Sequence, residues 1–462
     1  MGDLSVESTP IAGLLMVRLP VHGDARGWFK EAWQREKMTA LGLPDFCPVQ
    51  ANMSFNAHRG VTRGIHAEPW DKFVTVATGR VFGAWVDLRE GPSFGTTFTA
   101  EVDPSVAVFI PRGVGNSYQA LDDATAYCYL VNVHWRPGQE YPALRLDDPT
   151  AAIDWPIPLG QAELSEKDRV QNPALGDVEP MAPRRTLITG ANGQVGRELA
   201  HSFQGATLVD LDELDLTDAR ALAEWPWHEY GVVLNAAAYT AVDAAETPEG
   251  RRAAWAANAA APAALARIAD RHELILVHYS TDYVFDGADV VGGHREDESF
   301  SPLGVYGQTK AAGDLAVSTS NRHYILRTSW VVGDGQNFVR TMQRLAQDGT
   351  SPAVVHDQIG RLTFTDELAR ATRHLLEGEA PYGTYNVTNA GAPQSWADVA
   401  RSVFEASGRD PADVTPASTD EYGAGKSLAP RPRNGVLSLE KLAATGFDSQ
   451  PAEDALRAYL TG

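Results

Sequence analysis

The chain has 462 residues, and at roughly 100–200 residues per domain this predicts two or three domains. Its 44% hydrophobic and 21% charged residues describe an ordinary globular protein, and a formal net charge of −21 excludes nucleic acid and an anionic membrane as partners while permitting a local cationic pocket for a small anion. Cys47 and Cys128 are too few for a disulfide framework, Met1-Gly-Asp-Leu-Ser-Val-Glu7 lacks the basic and apolar regions of a secretory signal, and no apolar run approaches the ~18 residues of a membrane span, so a soluble cytoplasmic protein is expected.

From Ile11 to about Trp155, short β-branched and aromatic runs alternate with Gly, Pro and Asp turns. Examples are Lys72-Phe-Val-Thr-Val-Ala77, Val81-Phe-Gly-Ala-Trp-Val-Asp87, Ala107-Val-Phe-Ile110 and Thr125-Ala-Tyr-Cys-Tyr-Leu-Val-Asn-Val133. Thr78-Gly-Arg80 joins two of these runs as a hairpin turn would. Such spacing predicts an antiparallel sandwich or barrel, with one helix near Ala32–Leu41. The chemistry-bearing residues gather around Arg63-Gly-Ile-His66, with Lys72 at the start of a strand. His58, His66 and His134 are available as ligands, yet no His-x-His pair followed by Glu occurs, and no metal is expected.

Asp24-Ala-Arg-Gly-Trp-Phe-Lys-Glu31, Gln50-Ala-Asn-Met-Ser54, Gly60-Val-Thr-Arg-Gly-Ile-His66, Val86-Asp-Leu-Arg89 and Leu164-Ser-Glu-Lys-Asp168 together resemble the dTDP-4-dehydrorhamnose 3,5-epimerase family over nearly all of residues 10–175. The resemblance implies a cupin-like jelly roll, a homodimer formed through this domain, and no need for a metal. It implies His66 as the base that removes a proton α to a 4-keto group and Asp168 as the carboxylate that orients it. Lys72 would face the developing oxyanion, and Tyr129 would return a proton from the opposite face. Tyr127, two residues away on the same strand face, is the rival for that last role. Arg26, Glu31, Gln50, Asn52 and Arg63 match nucleotide and sugar contacts. Asn116, in Gly113-Val-Gly-Asn-Ser-Tyr118, stands where the family usually shows His; Trp135 stands where a tyrosine commonly precedes a turn; Thr62 replaces a Leu. Asn116 and Trp135 would touch the pocket wall, and inversion of one carbon or of two stays open, as does a non-catalytic binding or dimerisation role.

Pro173-Ala-Leu-Gly-Asp-Val-Glu-Pro-Met-Ala-Pro-Arg-Arg185 has no apolar periodicity and is expected as a semi-extended linker. The expected organisation is an epimerase-like domain over 1–175, a linker over 176–184 and a second domain over 185–462.

In the second half, strands are predicted at Arg185–Thr189, Ala206–Val209, Gly231–Asn235, Leu274–Tyr279, His323–Arg327 and Tyr385–Val387, with helices between them, such as Glu249–Arg271 and Pro302–Thr319. The alternation implies an α/β Rossmann fold, a doubly wound parallel sheet. The first strand runs into Thr189-Gly-Ala-Asn-Gly-Gln-Val-Gly196, where Gly190, Gly193 and Gly196 allow a backbone to approach a pyrophosphate at a helix N-terminus. Asp210 ends the second strand, where an acid accepts from the adenosine ribose; NADH or NADPH is the expected cofactor, and Asp210 favours NADH because it would repel a 2′-phosphate. Tyr306-Gly-Gln-Thr-Lys310 puts Tyr306 and Lys310 on one helix face, where the lysine would lower the phenol's pKa, and Ser280 and Thr281 follow an upstream strand. With Leu234-Asn-Ala-Ala-Ala-Tyr-Thr-Ala-Val-Asp243, which follows another strand and has the small residues a bound cofactor needs nearby, these make three features whose order indicates an extended short-chain dehydrogenase/reductase.

Thr189–Gly196, Asn235–Asp243, Ser280–Gly287, Tyr306–Lys310, Arg327-Thr-Ser-Trp330, Asp357-Gln-Ile-Gly360 and Arg431-Pro-Arg-Asn434 resemble dTDP-4-dehydrorhamnose reductase over about 185–460. The resemblance implies a catalytic Thr281, Tyr306 and Lys310, and a small substrate-binding subdomain. Cofactor contacts are implied for Gly190, Asn192, Gly193, Gln194, Val195, Gly196, Asp210, Asp215, Leu216, Ala236, Ala237, Ala238, Tyr306 and Lys310. Asp282, Tyr283, Trp330 and Arg431 match substrate contacts, with Trp330 packing on the sugar or serving as plain core. Two departures, Gly360-Arg-Leu-Thr363 and Gly435, are expected at the nucleotide end. The combined expectation is a bifunctional enzyme that epimerises dTDP-4-dehydro-6-deoxy-glucose and reduces the product to dTDP-L-rhamnose; a reductase with a binding cupin, or a pair making a different deoxysugar, are the alternatives.

Overall fold

The structure, a computed structural model, describes residues 3–135, 140–378 and 380–461, and the chain divides into two units, Met1–Pro183 and Arg184–Gly462. The turn expected after Trp135 lies outside the described residues. No described helix is long and apolar enough to cross a membrane.

In the first unit the β-branched and aromatic runs form strands β1 (Ser5–Ser8), β2 (Leu15–Arg18), β3 (His22–Asp24), β4 (Gly27–Phe29), β5 (Gln50–Asn56), β6 (Thr62–His66), β7 (Lys72–Thr78), β8 (Val81–Asp87), β9 (Thr97–Val102), β10 (Val106–Ile110), β11 (Val114–Ala120) and β12 (Thr125–Val131). They build antiparallel sheets of order β1-β2-β10-β7-β12-β5 and β6-β11-β8-β9, with β3-β4 a separate hairpin. Val74, Val76, Val108 and Tyr127 of the larger sheet pack on Val81, Trp85, Val102 and Tyr118 of the smaller one, which is the jelly-roll core. The helix near Ala32–Leu41 forms as α1 (Arg35–Ala40), where the Gln34 side chain accepts from Lys37 N.

Thr78-Gly-Arg80 does not make a hairpin. β7 and β8 lie in different sheets, so this turn carries the chain across the edge of the core. Gly79, at φ +74°, packs so closely on Thr125 that a Cβ would collide with its Oγ1. Runs with the same alternation do not declare which sheet they join, and so a sheet change reads like a hairpin.

Register places the functional side chains. β12 sets Tyr129 opposite Asn52 and Val131 opposite Gln50, and on its other side sets Val131 opposite Lys72. With a two-residue period, Gln50, Asn52, Lys72, Tyr127 and Tyr129 share one face. Across the core, β11 sets Asn116 opposite His66 and Tyr118 opposite Arg63, with a register shift between them. That irregularity puts Arg63 and His66, an odd number of residues apart, on the same face.

The stretch expected as a linker is not a free tether. Leu175 and Val178 are buried in the first unit's core, while Met181 N donates to Leu88 O and Glu90 N donates to Met181 O. Apolar residues spaced by three give this segment a face that the Pro-rich composition conceals.

In the second unit, β13 (Arg185–Thr189), β14 (Thr207–Val209), β15 (Tyr230–Asn235), β16 (Ile275–Thr281), β17 (His323–Thr328) and Gly383–Asn386 form a six-stranded sheet in the order β14-β13-β15-β16-β17-(Gly383–Asn386). Each pairing is parallel. Helices α2 (Glu166–Val170, in the first unit), α3 (Gln194–Ser202), α4 (Ala219–Glu224), α5 (Pro248–Trp255), α6 (Ala261–His272) and α7 (Val305–Val317) follow in chain order. Two hydrophobic clusters share the strands, one joining Leu187, Val233 and Leu276 to Leu265 and Ala269, the other joining Ile188, Leu234 and Val277 to Leu199 and Leu368. This is the doubly wound arrangement with a core on each face of the sheet. The single helix expected over Glu249–Arg271 is α5 and α6 joined by a π turn at Ala256–Ala260. A third cluster, including Val339, Met342, Val354, Val399, Val403 and Phe404, is the core of a small subdomain.

Candidate active sites

In the first unit the two sheets bring four expected residues to the interior. His66 Nε2 lies 3.0 Å from Asp168 Oδ1, and Asp168 is 6% exposed on its side chain. Asp168 belongs to α2, whose N-cap Ser165 accepts from Asp168 N. Burial pushes the Asp168 carboxyl up, but hydrogen bonds and the charge of His66, with Ser165 and the Gly64 backbone, bring it below the ordinary range. Lys72 Nζ stands 5.3 Å from the Tyr129 ring centre and is ion-paired to Glu68. Burial, then Glu68, push the Tyr129 phenol up. Glu68 and Tyr141, whose ring centre is 6.1 Å from that of His66, were not found from the sequence. Glu68 lies two residues beyond His66, just past the end of β6.

Tyr127 and Asn116 bond to each other beside this group. Asn116 Oδ1 accepts from Trp85 Nε1 at 3.0 Å and from the Tyr127 hydroxyl at 3.2 Å, and Tyr127 stacks on Tyr118 with ring centres 4.0 Å apart. Asn116 is therefore engaged in the core rather than offered at the pocket wall. Gln50 Nε2 donates to Asn52 Oδ1 at 2.8 Å, Gln50 Oε1 accepts from Trp135 N, and Arg63 Nε donates to Asn56 Oδ1 at 3.4 Å. Arg26 is ion-paired to Asp24 and Glu31 to Lys37, on exposed segments, and Trp135 is 53% exposed; these three are not brought into the interior of their own unit. His58 and His134 are exposed, and among the described residues no group of three or more His, Cys, Asp or Glu is placed to hold a metal.

In the second unit, two of the three fingerprint glycines are required by packing. A Cβ on Gly190 would lie 2.6 Å from Ala237 Cα, and one on Gly196 would strike Gly190 O. A Cβ on Gly193 would meet only Gly190 O, at 3.3 Å. Gly193 is the N-cap of α3 and caps it with no side chain, so open space stands at a helix N-terminus where a pyrophosphate would be favoured. The residues present therefore fit a dinucleotide. Asp210 Oδ2 accepts from Asn192 N at 2.8 Å, tying the end of β14 to this turn. Gln194 Oε1 accepts from Gly333 N. Val195 and Ala236 pack against the core beside Ala191, and Ala237 lies under Gly190. Asp215 takes Thr217 N and its hydroxyl, and the Leu216 side chain is buried in the core. Leu216 is therefore not a side-chain contact, because a leucine flanking a polar turn is drawn inward.

Thr281, Tyr306 and Lys310 come together at the end of β16 and on α7. Lys310 is 2% exposed; its Nζ donates to Tyr279 O at 2.6 Å and lies 3.4 Å from His278 Nε2. Burial brings the Lys310 ammonium down to about 8, with Asp314 opposing. Burial, then Asp282 and Tyr283, push the Tyr306 phenol up, against hydrogen bonding to Thr281. The expectation that Lys310 lowers this phenol is not met: the ammonium is held toward Tyr279 and His278, and desolvation dominates. A buried neutral phenol is suited to donate a proton. Tyr283 meets the Tyr306 ring edge-on at 5.5 Å. Asn258, from the π turn, accepts from Tyr239 N at 2.8 Å and donates to Tyr239 O and Thr309 Oγ1. It braces the loop after β15, where Ala238 sits, against α7.

Tyr283 and Arg431 line a cavity of about 730 Å³ together with Trp396, Gln358, Tyr422 and Lys426. Arg431 NH2 is 2.9 Å from Asp243 Oδ2. Trp330 does not stand free as a platform: its indole is stacked on Trp396 at 3.7 Å and abuts Gly360, so Trp396 is the tryptophan at the cavity. Gly360 and Gly435, the two departures, are each packed against a side chain. Gly360 accommodates Trp330, and a Cβ on Gly435 would collide with Asp282 Oδ2. Asp282 is 3% exposed and accepts from Thr281 Oγ1 at 3.0 Å. Burial raises its carboxyl to about 7, against hydrogen bonds from Thr281, its own backbone and Tyr283.

Comparison with known proteins divides the chain as its contacts do. Residues 8–176 match the dTDP-4-dehydrorhamnose 3,5-epimerase family, and residues 184–462 match the RmlD substrate binding domain. The first stretch is 45% identical to the RmlC homolog of Streptococcus pyogenes serotype M6, covering 38% of this chain and 92% of that protein. The second is 39% identical to the dTDP-4-dehydrorhamnose reductase of Mycolicibacterium smegmatis, covering 57% of this chain and 81% of that protein. A crystal structure of dTDP-4-dehydrorhamnose reductase from Bacillus anthracis in complex with NADP superposes with a TM-score of 0.56 at 33% identity, covering 60% of this chain and 98% of that one.

Proposed function

The chain belongs to the dTDP-4-dehydrorhamnose 3,5-epimerase family over residues 8–176 and to the RmlD reductase family over residues 184–462, and from this premise we propose that it performs two consecutive steps on one sugar nucleotide. The first unit inverts C3 and C5 of dTDP-4-dehydro-6-deoxy-glucose; the second reduces the C4 ketone to give dTDP-L-rhamnose. The observation that carries this reading is the occurrence in one polypeptide of the His66–Asp168 pair with Lys72 and Tyr129 and of the buried Tyr306 and Lys310 beside Thr281.

In epimerisation the carbon acid is activated by the neighbouring ketone. Asp168 accepts a hydrogen bond from His66 Nε2–H, which leaves Nδ1 as the basic atom that removes the proton. Lys72 meets the negative charge that grows on the ketone oxygen. Tyr129 returns a proton from the other face, and the carbon is inverted. Tyr127 is committed to Asn116 and does not compete for this role.

In reduction a nicotinamide cofactor supplies the hydride. Gly193 and the N-terminus of α3 would hold its pyrophosphate. Asp210 would face the adenosine ribose of a bound dinucleotide and favour NADH, since a 2′-phosphate would meet a carboxylate. Tyr306 gives its proton to the C4 oxygen, with Thr281 holding the phenol and Lys310 keeping a positive charge behind it. Asp282, Tyr283 and Arg431 position the sugar nucleotide beside the cavity, where Lys426 adds a local positive charge to a net acidic protein.

A second copy of the chain is expected at the first unit. β5 is an edge strand with Met53 69% and Phe55 63% exposed, and an apolar edge of this kind is normally covered. Arg26, Glu31 and Trp135, left outside their own interior, would then act at or near the joint. The test is incubation of the full chain with dTDP-4-keto-6-deoxyglucose and NADH in deuterated water, followed by NMR. Deuterium at C3 and C5 and formation of dTDP-L-rhamnose is the expected result; reduction without exchange would leave the first unit a binding module, and deuterium at one carbon would point to a different deoxysugar.

A further inference from the structure

Lys72 is 7% exposed and Glu68, its ion-pair partner, 12%. Taking a lone ammonium out of water is costly, and the nearby carboxylate offsets that cost. Glu68 is held in place by its own backbone, whose carbonyl accepts from Gly113 N at 3.1 Å. The pair lies against Tyr129, with the Lys72 ammonium 5.3 Å from the ring centre. A second negative group therefore stands inside a site whose chemistry generates an enolate, and it is not accounted for by base, oxyanion partner or proton donor.

We propose that Glu68 is a positioning residue for epimerisation: its carboxylate holds the Lys72 ammonium against the Tyr129 ring and sets the charge that this phenol faces when it gives up its proton. The proposal rests on the epimerase reading of the first unit. In the step concerned the Tyr129 O–H bond breaks and a C–H bond forms, using the enolate electron pair as the C4 carbonyl re-forms. The phenolate left behind regains a proton from water. A fixed carboxylate beside the ring opposes early loss of that proton to solvent. The growing enolate oxygen meanwhile draws on the same ammonium that Glu68 holds.

The groups that act on the Tyr129 phenol are, after burial, Glu68 and Tyr118, which push it up, and Arg63, which pulls it down. Lys72 stands over its ring, Tyr127 lies with its ring centre 6.1 Å away, and Tyr141 responds to both Glu68 and Tyr129. His66 is paired to Asp168 and Lys167 stands over Tyr141. Of the carboxylates in this set, Glu68 is the one that raises Tyr129.

The experiment is the pH dependence of solvent deuterium incorporation at C3 and C5 by the full chain, without nicotinamide, for the wild type, Glu68→Gln and Glu68→Asp. Loss of the charge should move the alkaline limb of Glu68→Gln to lower pH by about one unit, a tenfold lower rate there relative to the wild type. Glu68→Asp keeps the charge but withdraws it by a methylene, so its limb should lie between the two; it also carries the test if the Gln variant does not fold. A limb that stays in place in both variants, whether or not the rate falls equally at every pH, overturns the assignment while the epimerase reading stands. Absence of exchange in the wild type overturns both.

Discussion

Asn116 receives two hydrogen bonds on one carboxamide oxygen, from Trp85 and from Tyr127, and this distinguishes the surroundings of two tyrosines that the strand period leaves equivalent. Residue chemistry of this kind separates the two reactions. His66→Ala should cut deuterium exchange by at least about a hundredfold while leaving NADH binding intact, as measured by NMR and by cofactor fluorescence. Tyr306→Phe should do the converse, blocking reduction by a similar factor and sparing exchange. Loss of both activities from either change would show that the units are not chemically independent. Asp282 makes a prediction about stability. Its carboxyl is raised to about 7 when folded, so the folded chain holds a proton that the unfolded chain has released above about 3.8. Its stabilising contribution is full below that value and is lost as pH climbs toward 7. Unfolding by denaturant at a series of pH values should show this decline, and Asp282→Asn should flatten it; an unchanged slope would mean the carboxyl ionises normally.

At the scale of the element, the turn between β13 and α3 contains glycines with different reasons to be there. Gly196→Ala drives a Cβ into Gly190 O, so the turn itself must shift, and both thermal stability and NADH affinity should fall. Gly193→Ala meets one backbone oxygen at 3.3 Å, so stability should change by less than about 1 kcal/mol. NADH affinity should nonetheless drop at least tenfold, because the added methyl occupies the approach to the helix N-terminus. Calorimetry of unfolding and of binding separates the two outcomes. The π turn between α5 and α6 is the second such element. Asn258→Ala would leave the Tyr239 N–H and C=O without their partner, at a cost of about 1–3 kcal/mol, and should lower reduction without touching exchange. The glycine spacing and the Tyr306/Lys310 pair were legible because each depends on local geometry alone. The contact that the π turn makes was not, since Asn258 reaches Tyr239, nineteen positions away.

Over the whole molecule, each unit carries its own hydrophobic clusters, and apolar burial is the main source of folding free energy. Cutting the chain between Pro183 and Arg184 should therefore give two halves that fold and keep their own reactions. Cutting near residue 172 should damage the first half, because Leu175, Val178 and Met181 are buried in or against it; circular dichroism melting of the two first halves distinguishes these outcomes. By itself the amino-acid sequence determined that an all-β half precedes an α/β half and that the second half opens on a dinucleotide turn, since periodicity, glycine spacing and motif order are properties of neighbours along the chain. Only the tertiary structure decided that Thr78–Arg80 changes sheets, that Glu68 is paired to Lys72 while Tyr127 is held by Asn116, that Trp396 rather than Trp330 stands at the cavity, and that Gly435 makes room for Asp282. Each of these depends on which side chains meet across a core, and distances between residues remote in sequence are set by packing rather than by local pattern.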